Sequence, residues 1–305
     1  MAISRAQLAK ELEPGLNALF GLEYSRYDNQ HAEIYTTEAS DRAFEEEVML
    51  SGFASAPTKQ EGAGVVFDQA NEAFTARYTH ETIALAFAIT EEAIEDNLYD
   101  RLASRYTRAL ARSMSNTKQV KAAAVLNNAQ VTTVLGGDGV PLISNAHPLS
   151  NGGTFSNVLA TAADLNETSL EQSLIDIQGF VDERGLKIAL SGRKMIIPKE
   201  LQFTAERLMK SPLRTGTADN DINAINNMGM IPEGYRINNF LTDTDSFFIL
   251  TDVPNGFKHF ERSPIKTALE GDFDTGNVRF KARERYSFGF SDPRCVFGNG
   301  NLPTS

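Results

Sequence analysis

Ile83, Leu85, Phe87 and Ile89 alternate with Ala84, Ala86 and Ala88. A period of two predicts a strand with one bulky face and one smooth face open to close packing. Thr90 then stands as an N-cap before Glu91 and Glu92, acids suited to the positive end of a helix dipole. From Glu91 to about Ala129 neither Pro nor Gly occurs, and Ala, Leu, Arg and Glu abound. This stretch predicts one helix of about 39 residues, about 58 Å long. Its apolar residues Ile94, Leu98, Leu102, Tyr106, Leu110 and Met114 recur every four positions. Four residues overshoot one turn, so the stripe drifts about 40° per step and the helix changes neighbours along its length.

Upstream, Ile3, Leu8, Leu12, Leu16, Leu19 and Phe20 have near-helical spacing interrupted by Pro14 and Gly15, which predicts a short or broken amphipathic helix. It can dock on a neighbour or on its own domain. Tyr24 to Glu47 is polar, ends in Glu45, Glu46 and Glu47, and reads as an extended arm. Val48-Met49-Leu50 and Val65-Val66-Phe67 flank a turn-rich stretch and predict a long hairpin with a mobile tip. So little apolar surface does not order a hairpin in water, so it must lean on something else.

Beyond the long helix, the turn residues of 131–160 predict hairpin and loop. Leu170, Leu174, Ile177 and Val181 predict a helix over 168–183, followed by a strand over Lys194–Pro198 and a helix from Lys199 to about Met209. Residues 211–234 read as a loop-rich excursion with a short helix near 222–226. Phe240-Leu241 and Phe247–Leu250 predict a hairpin around Thr242–Asp245, and 265–269 and 278–290 are β-rich. The fold class is α+β.

Composition narrows the function. Hydrophobic residues make up 41% and charged residues 23% of the 305, as in ordinary globular proteins. Neither a signal-peptide core nor an apolar run long enough to cross a bilayer is present. The single Cys295 excludes an intrachain disulfide and a cysteine-built zinc site, and the four histidines lack helical metal-site spacing. The net charge of −11 opposes tight non-specific binding to nucleic acid. That charge is uneven: residues 1–90 hold six Lys or Arg against fourteen Asp or Glu, a net of −8. In the long helix, Glu91, Glu92, Glu95, Asp96 and Asp100 precede Arg101, Arg105, Arg108, Arg112, Lys118 and Lys121. Both blocks match the helix dipole; a basic stripe against packaged nucleic acid is the other reading.

Enzymatic signatures fail. There is no phosphate loop, since Gly192-Arg193-Lys194 runs into Met195, and no nucleophile elbow or two-histidine helix. His147 with Asp138 and Ser144 could form a base, orienting acid and nucleophile, but a turn-capping or packing histidine fits a Gly-rich loop better. Asp243 and Asp245 lack the further oxygen ligands of a calcium loop and read as turn residues.

The wording Ala88-Ile89-Thr90-Glu91-Glu92-Ala93-Ile94-Glu95-Asp96-Asn97, and Asp138-Gly139-Val140-Pro141-Leu142-Ile143-Ser144-Asn145-Ala146-His147-Pro148 after the helix, resembles tailed-bacteriophage major capsid proteins of the Hong Kong 97 fold. The order of parts is similar over the whole chain. The resemblance implies an N-terminal arm over 1–44 and an extended loop over 45–82. It also implies a peripheral domain over 83–166 and 270–305 with a spine helix over 91–129, and an axial domain over 167–269. It implies self-assembly as hexamers and pentamers into an icosahedral head around double-stranded DNA, in the host cytoplasm and then the virion, with no enzyme activity, cofactor or membrane. A portal, a decoration protein and a separate scaffolding protein are implied partners, the last because the arm starts almost at once. Some relatives crosslink a loop Lys to a neighbour's Asn. Lys59, the only Lys between 11 and 117, and Asn299 or Asn301 are the matching positions, although no motif fixes the partner carboxylate.

The expected intersubunit contacts are Glu45, Glu46, Glu47, Lys59 and Phe67 of the hairpin. Two basic regions could receive them, one with Arg193, Lys194 and Arg214, the other with Arg279, Arg283 and Arg285. An encapsulin-like protein-cargo shell, a tail or portal component, and a hydrolase using His147 are the rival readings.

Overall fold

The computed structural model describes residues 5–90, 92, 99–214, 221–272 and 276–300. The break expected at Pro14 does not occur: α1 spans Arg5–Ser25 with Pro14 inside it. An internal proline costs about 3 kcal/mol. Opposing it, Leu16 and Phe20 are buried against Leu110, Ala111 and Met114 of α2 (Tyr99–Asn127) and against Phe280. Two such side chains contribute about 3–6 kcal/mol, so packing keeps the helix whole and docks it on its own chain. Ile3, and the expected start of the long helix at 91 and 93–98, lie outside the described residues.

Tyr24–Glu47 is not one extended arm. A 3-10 turn at Gln30–Glu33 leads into buried Ile34 and Tyr35, and the Tyr35 hydroxyl donates to the Ala122 carbonyl at 2.7 Å. Strand β1 (Thr36–Ala39) then pairs in parallel with β10 (Phe257–Gly271). Apolar anchors within a polar stretch thus hold it to the body.

The hairpin forms, but with a different return strand. β2 (Phe44–Leu50) pairs antiparallel with β3 (Glu72–Thr79), from Phe44 opposite Thr79 to Leu50 opposite Glu72. Val65–Phe67 stays outside the ladder. The register is set by Ala76 and Tyr78, alternate residues buried with Phe260.

β4 (Glu81–Ile89) matches the alternating pattern. It pairs with β11 (Val278–Phe290), which pairs with β10, giving the order β1-β10-β11-β4. One face, with Ile83, Phe87, Ile89, Phe280 and Ala282, packs on α1 and α2. On the other, Ala84, Ala86 and Ala88 lie beside Arg283, Lys281 and Arg279 and are exposed.

The remainder builds a second sheet, ordered β12-β9-β7-β8, from β7 (Gly192–Ile197), β8 (Tyr235–Ile237), β9 (Phe248–Thr251) and β12 (Val296–Gly298). The hairpin expected at Phe240–Leu250 is absent: Phe240 sits in a turn, and β9 pairs with β7 and β12. That pairing fully buries Phe247, Phe248 and Ile249, a larger gain than a local hairpin offers. Helices α3 (Glu167–Gln178), α4 (Gln202–Lys210) and α5 (Ala224–Met228) accompany this sheet, and Leu170, Leu174, Ile177, Ala205, Leu208 and Ile225 enter its core. β5 (His147–Pro148) and β6 (Thr154–Phe155) form a short hairpin. A further core of Ile34, Tyr35, Leu126, Ile143, Ile196, Phe248 and Val296 joins the two sheets.

Candidate assembly surfaces

The loop between β2 and β3 is closed at its neck and bare at its tip. Ser51 N–H donates to the Asn71 carbonyl at 2.8 Å, Ala54 N–H to Asp68 Oδ2 at 2.7 Å, and Arg184 Nη2 to the Gln69 carbonyl at 2.7 Å. Backbone N–H groups of Ala54 and Gln69 donating to its carboxylate hold Asp68 below the usual carboxylate range. Beyond the neck, Val65, Val66 and Phe67 are 70%, 69% and 94% exposed, with Phe53 and Lys59 also exposed. Exposed apolar residues grouped in one segment mark a contact surface.

The three glutamates of the hairpin root find partners in their own chain. Glu45 accepts from Ser40 Oγ at 2.6 Å, Glu46 faces Arg77 at 3.8 Å, and Glu47 lies 3.4 Å from Lys258 Nζ and accepts from the Ser291 hydroxyl. Lys258 also pairs with Glu38. In the first basic region, Lys194 Nζ bridges Glu33 at 2.9 Å and Glu233 at 3.1 Å, Arg193 pairs with Glu233, and Arg214 Nε meets Glu167 at 2.7 Å. In the second, Arg279 pairs with Asp272. Arg283 is exposed, Arg285 is half-buried, and neither has a carboxylate partner among the described residues. Within one subunit most of these charges are thus paired locally.

The residues tested for chemistry are structural. His147 is fully buried, with Nδ1 2.6 Å from Asp138 Oδ2, Nε2 3.2 Å from Asn157 Oδ1, and its ring stacked on Phe155. Ser144 Oγ instead accepts the Ala146 N–H at 3.2 Å, so base and hydroxyl do not form a nucleophile pair. The Asp243 carboxylate accepts from Asp245 N–H at 3.3 Å, and its hydrogen bond to the Asp245 side chain, with burial, pushes that acid up to about 6. Asn299 is fully buried, donating to the carbonyls of Ala163 and Asp245 at 3.1 and 3.0 Å. It is thus removed as a crosslink acceptor, and Asn301 lies outside the described residues. Cys295 is buried, which pushes its thiol well up and keeps it unreactive. Among the described residues no three His, Cys, Asp or Glu could hold a metal ion, and no helix is long and apolar enough to cross a membrane.

Two polar knots escaped sequence reasoning. Arg294, 2% exposed, donates to Glu183 Oε1 and the Val181 carbonyl, both at 2.7 Å, and its guanidinium sits 4.4 Å above the Phe155 ring. Its only sequence signal was a charge beside the apolar run Cys295–Phe297. Between the sheet and α2, the His31 and His259 rings lie 5.5 Å apart, with Gln119 Nε2 2.9 Å from His31 Nδ1. Burial, reinforced by the charge of Lys118, lowers His31 to about 4 and His259 to about 3.

A pH dependence follows, because both folded values lie below the ordinary 6.5. Above about pH 6.5 both rings are neutral in either state. As pH falls, the unfolded chain takes up protons the folded chain refuses, so stability declines until each folded ring protonates. The urea midpoint is expected to drop from about pH 6.5 to about 5, and H31Q/H259Q to flatten that drop. An equal slope in the variant would refute this assignment.

The chain thus combines an apolar exposed loop, charged open faces and a tied core. The family model for phage capsid protein matches residues 73–299. The chain belongs to the phage capsid protein family, and it is a structural shell protein, not an enzyme. Among solved structures, Mycobacterium phage Che8 is similar at 16% identity over 88% of this chain and 89% of that one, with a TM-score of 0.53. The capsid of Myoviridae phage XM1 is similar at 9% identity over 89% of each chain, with a TM-score of 0.52. A virus-like particle from Pyrococcus furiosus matches at 8% identity over 94% of this chain and 98% of that one, also with a TM-score of 0.52. These likenesses show the α+β capsid fold. No curated protein sequence matches.

Proposed function

We propose that the chain is the major capsid protein of a tailed phage, with the Hong Kong 97 fold, assembling as hexamers and pentamers into an icosahedral head around double-stranded DNA. The observation that carries this reading is the loop tip: Val65, Val66 and Phe67 are exposed beyond a tied neck, within a chain of the phage capsid family. In this assignment α2 belongs to the spine helix of a peripheral domain over 83–166 and 270–305. Residues 167–269 form the axial domain, 45–82 the extended loop and 1–44 the arm. Scaffolding, portal and decoration proteins are the partners this family pattern implies, and assembly takes place in the host cytoplasm.

The loop of one copy lies across the open sheet face of the next, where exposed Ala84, Ala86 and Ala88 leave the backbone close and Lys281 and Arg283 supply positive charge. Phe67 provides apolar contact and Lys59 sits at the same tip. Each exposed ion pair contributes under about 1 kcal/mol, but a closed lattice repeats it. The expressed full chain is expected to form closed shells under the electron microscope, with a yield that depends on salt. Monomers at every concentration would end the capsid reading, and salt-independent assembly would end its electrostatic part.

A further inference from the structure

The basic residues of α2 whose side chains are described fall into two groups. Lys118 lies 3.7 Å from Glu284 and is largely buried, and Lys121 pairs with Glu81. Arg105, Arg108 and Arg112 are exposed, and among the described residues none has a carboxylate partner. Arg112 Nε instead donates to the Tyr27 hydroxyl at 3.0 Å, which fixes its position. At about 100° per residue the three arginines fall within about 60° of one another, along about 10 Å of helix.

The helix dipole does not account for them. Its influence is confined to the terminal turn, whereas Arg112 precedes the helix end at Asn127 by fifteen residues and no basic residue stands in the last turn. Of the positions near the row, Ala109, Ser113 and Asn116 are exposed and small or polar, while the half-exposed Tyr106 lies about 100° round the helix from Arg105 and its ring packs 5.8 Å from that of Phe87. A protein partner would need an apolar or aromatic anchor at the centre of its contact, and the row offers none. Arginine forks suit phosphate oxygens, which they bind bidentately. The open sheet face, with Lys281 and Arg283, lies on the opposite side of the same layer.

We infer that the Arg105–Arg108–Arg112 row binds the phosphate backbone of double-stranded DNA without sequence preference, so the helical side of the layer faces the inside of the shell. This rests on the capsid reading above. The site is weak because of the whole chain's charge: a net of −11 limits attraction to this local row.

The test compares the full-length protein with R105Q/R108Q/R112Q, with the charge-preserving R105K/R108K/R112K, and with K281Q/R283Q. Binding of a short duplex of arbitrary sequence is titrated at several salt concentrations, and shell formation is scored by electron microscopy. The glutamine triple is expected to bind more weakly, with its log K against log salt slope reduced by about 0.9 for each phosphate no longer neutralised. The lysine triple should keep the wild-type slope, and so should K281Q/R283Q when the titration is done on unassembled subunits, where loop docking on Lys281 and Arg283 plays no part. The inference is overturned if the glutamine triple binds as wild type does, if the weakening follows the sheet-face variant instead, or if polyglutamate binds the row while the duplex does not. Should the glutamine triple not fold, a lysine triple without the wild-type slope overturns it equally. Failure to form shells in the wild type would instead strike the capsid reading, so the two failures are distinguishable.

Discussion

Val65→Ser, Val66→Ser and Phe67→Ser together are expected to abolish shell formation while leaving the free subunit as stable as before. In the subunit these side chains are exposed and outside any strand ladder. Surface changes of this kind shift stability by no more than about 0.5 kcal/mol. In the assembly proposed above each tip would be buried against a neighbour, and covering a Val or Phe side chain contributes about 1.5–3 kcal/mol. Three of them amount to about 5–9 kcal/mol per subunit contact, enough to decide assembly. Urea unfolding of the subunit and sedimentation of the assembly mixture measure the two halves separately. Shells forming at wild-type yield would show that the tip is not the principal contact.

Arg294→Met is expected to have the largest effect on the subunit itself, destabilising it by about 3–5 kcal/mol. Removing the guanidinium leaves Glu183, with a side chain only 5% exposed, as an uncompensated charge. It also strands the Val181 carbonyl and strips the cation from the Phe155 face. The urea midpoint measures the change, provided the transition slope is unaltered. Adding Glu183→Gln should recover part of it, since the stranded charge is then gone. A single-variant effect under about 1 kcal/mol would mean that Arg294 behaves as a surface pair does.

What could be read from the sequence was local and periodic. The alternation of Ile83–Ile89 with alanines specified β4 and its two faces, because side-chain period alone sets which residues share a side. The helical spacing of Leu170, Leu174 and Ile177 located α3 in the same way, and the order of parts carried the family resemblance. What failed depended on distant partners. Pro14 looked like a break because the contacts of Leu16 and Phe20 with α2 are some ninety residues away. Val65–Phe67 looked like a strand because it is apolar, yet the ladder went to Glu72–Thr79, where Ala76 and Tyr78 could reach Phe260. The candidate contacts suffered similarly: Glu47 and Lys194 are charged and polar in pattern, but nothing in their spacing reveals Lys258 or Glu33 beside them. Lys59 was legible as part of a free tip, since no periodicity tied it to a core, whereas Phe67 was read into the return strand and is exposed in the loop instead.

The tied neck has one more consequence. Its bonds join Ser51 to Asn71 and Ala54 to Asp68, while the β2–β3 ladder ends at Leu50 and Glu72. Torsion beyond Ala54 and Asp68 therefore costs no strand pairing. In the shell proposed above, one sequence could then meet neighbours set at unequal dihedral angles by re-aiming a dozen residues and leaving the strand ladder unchanged.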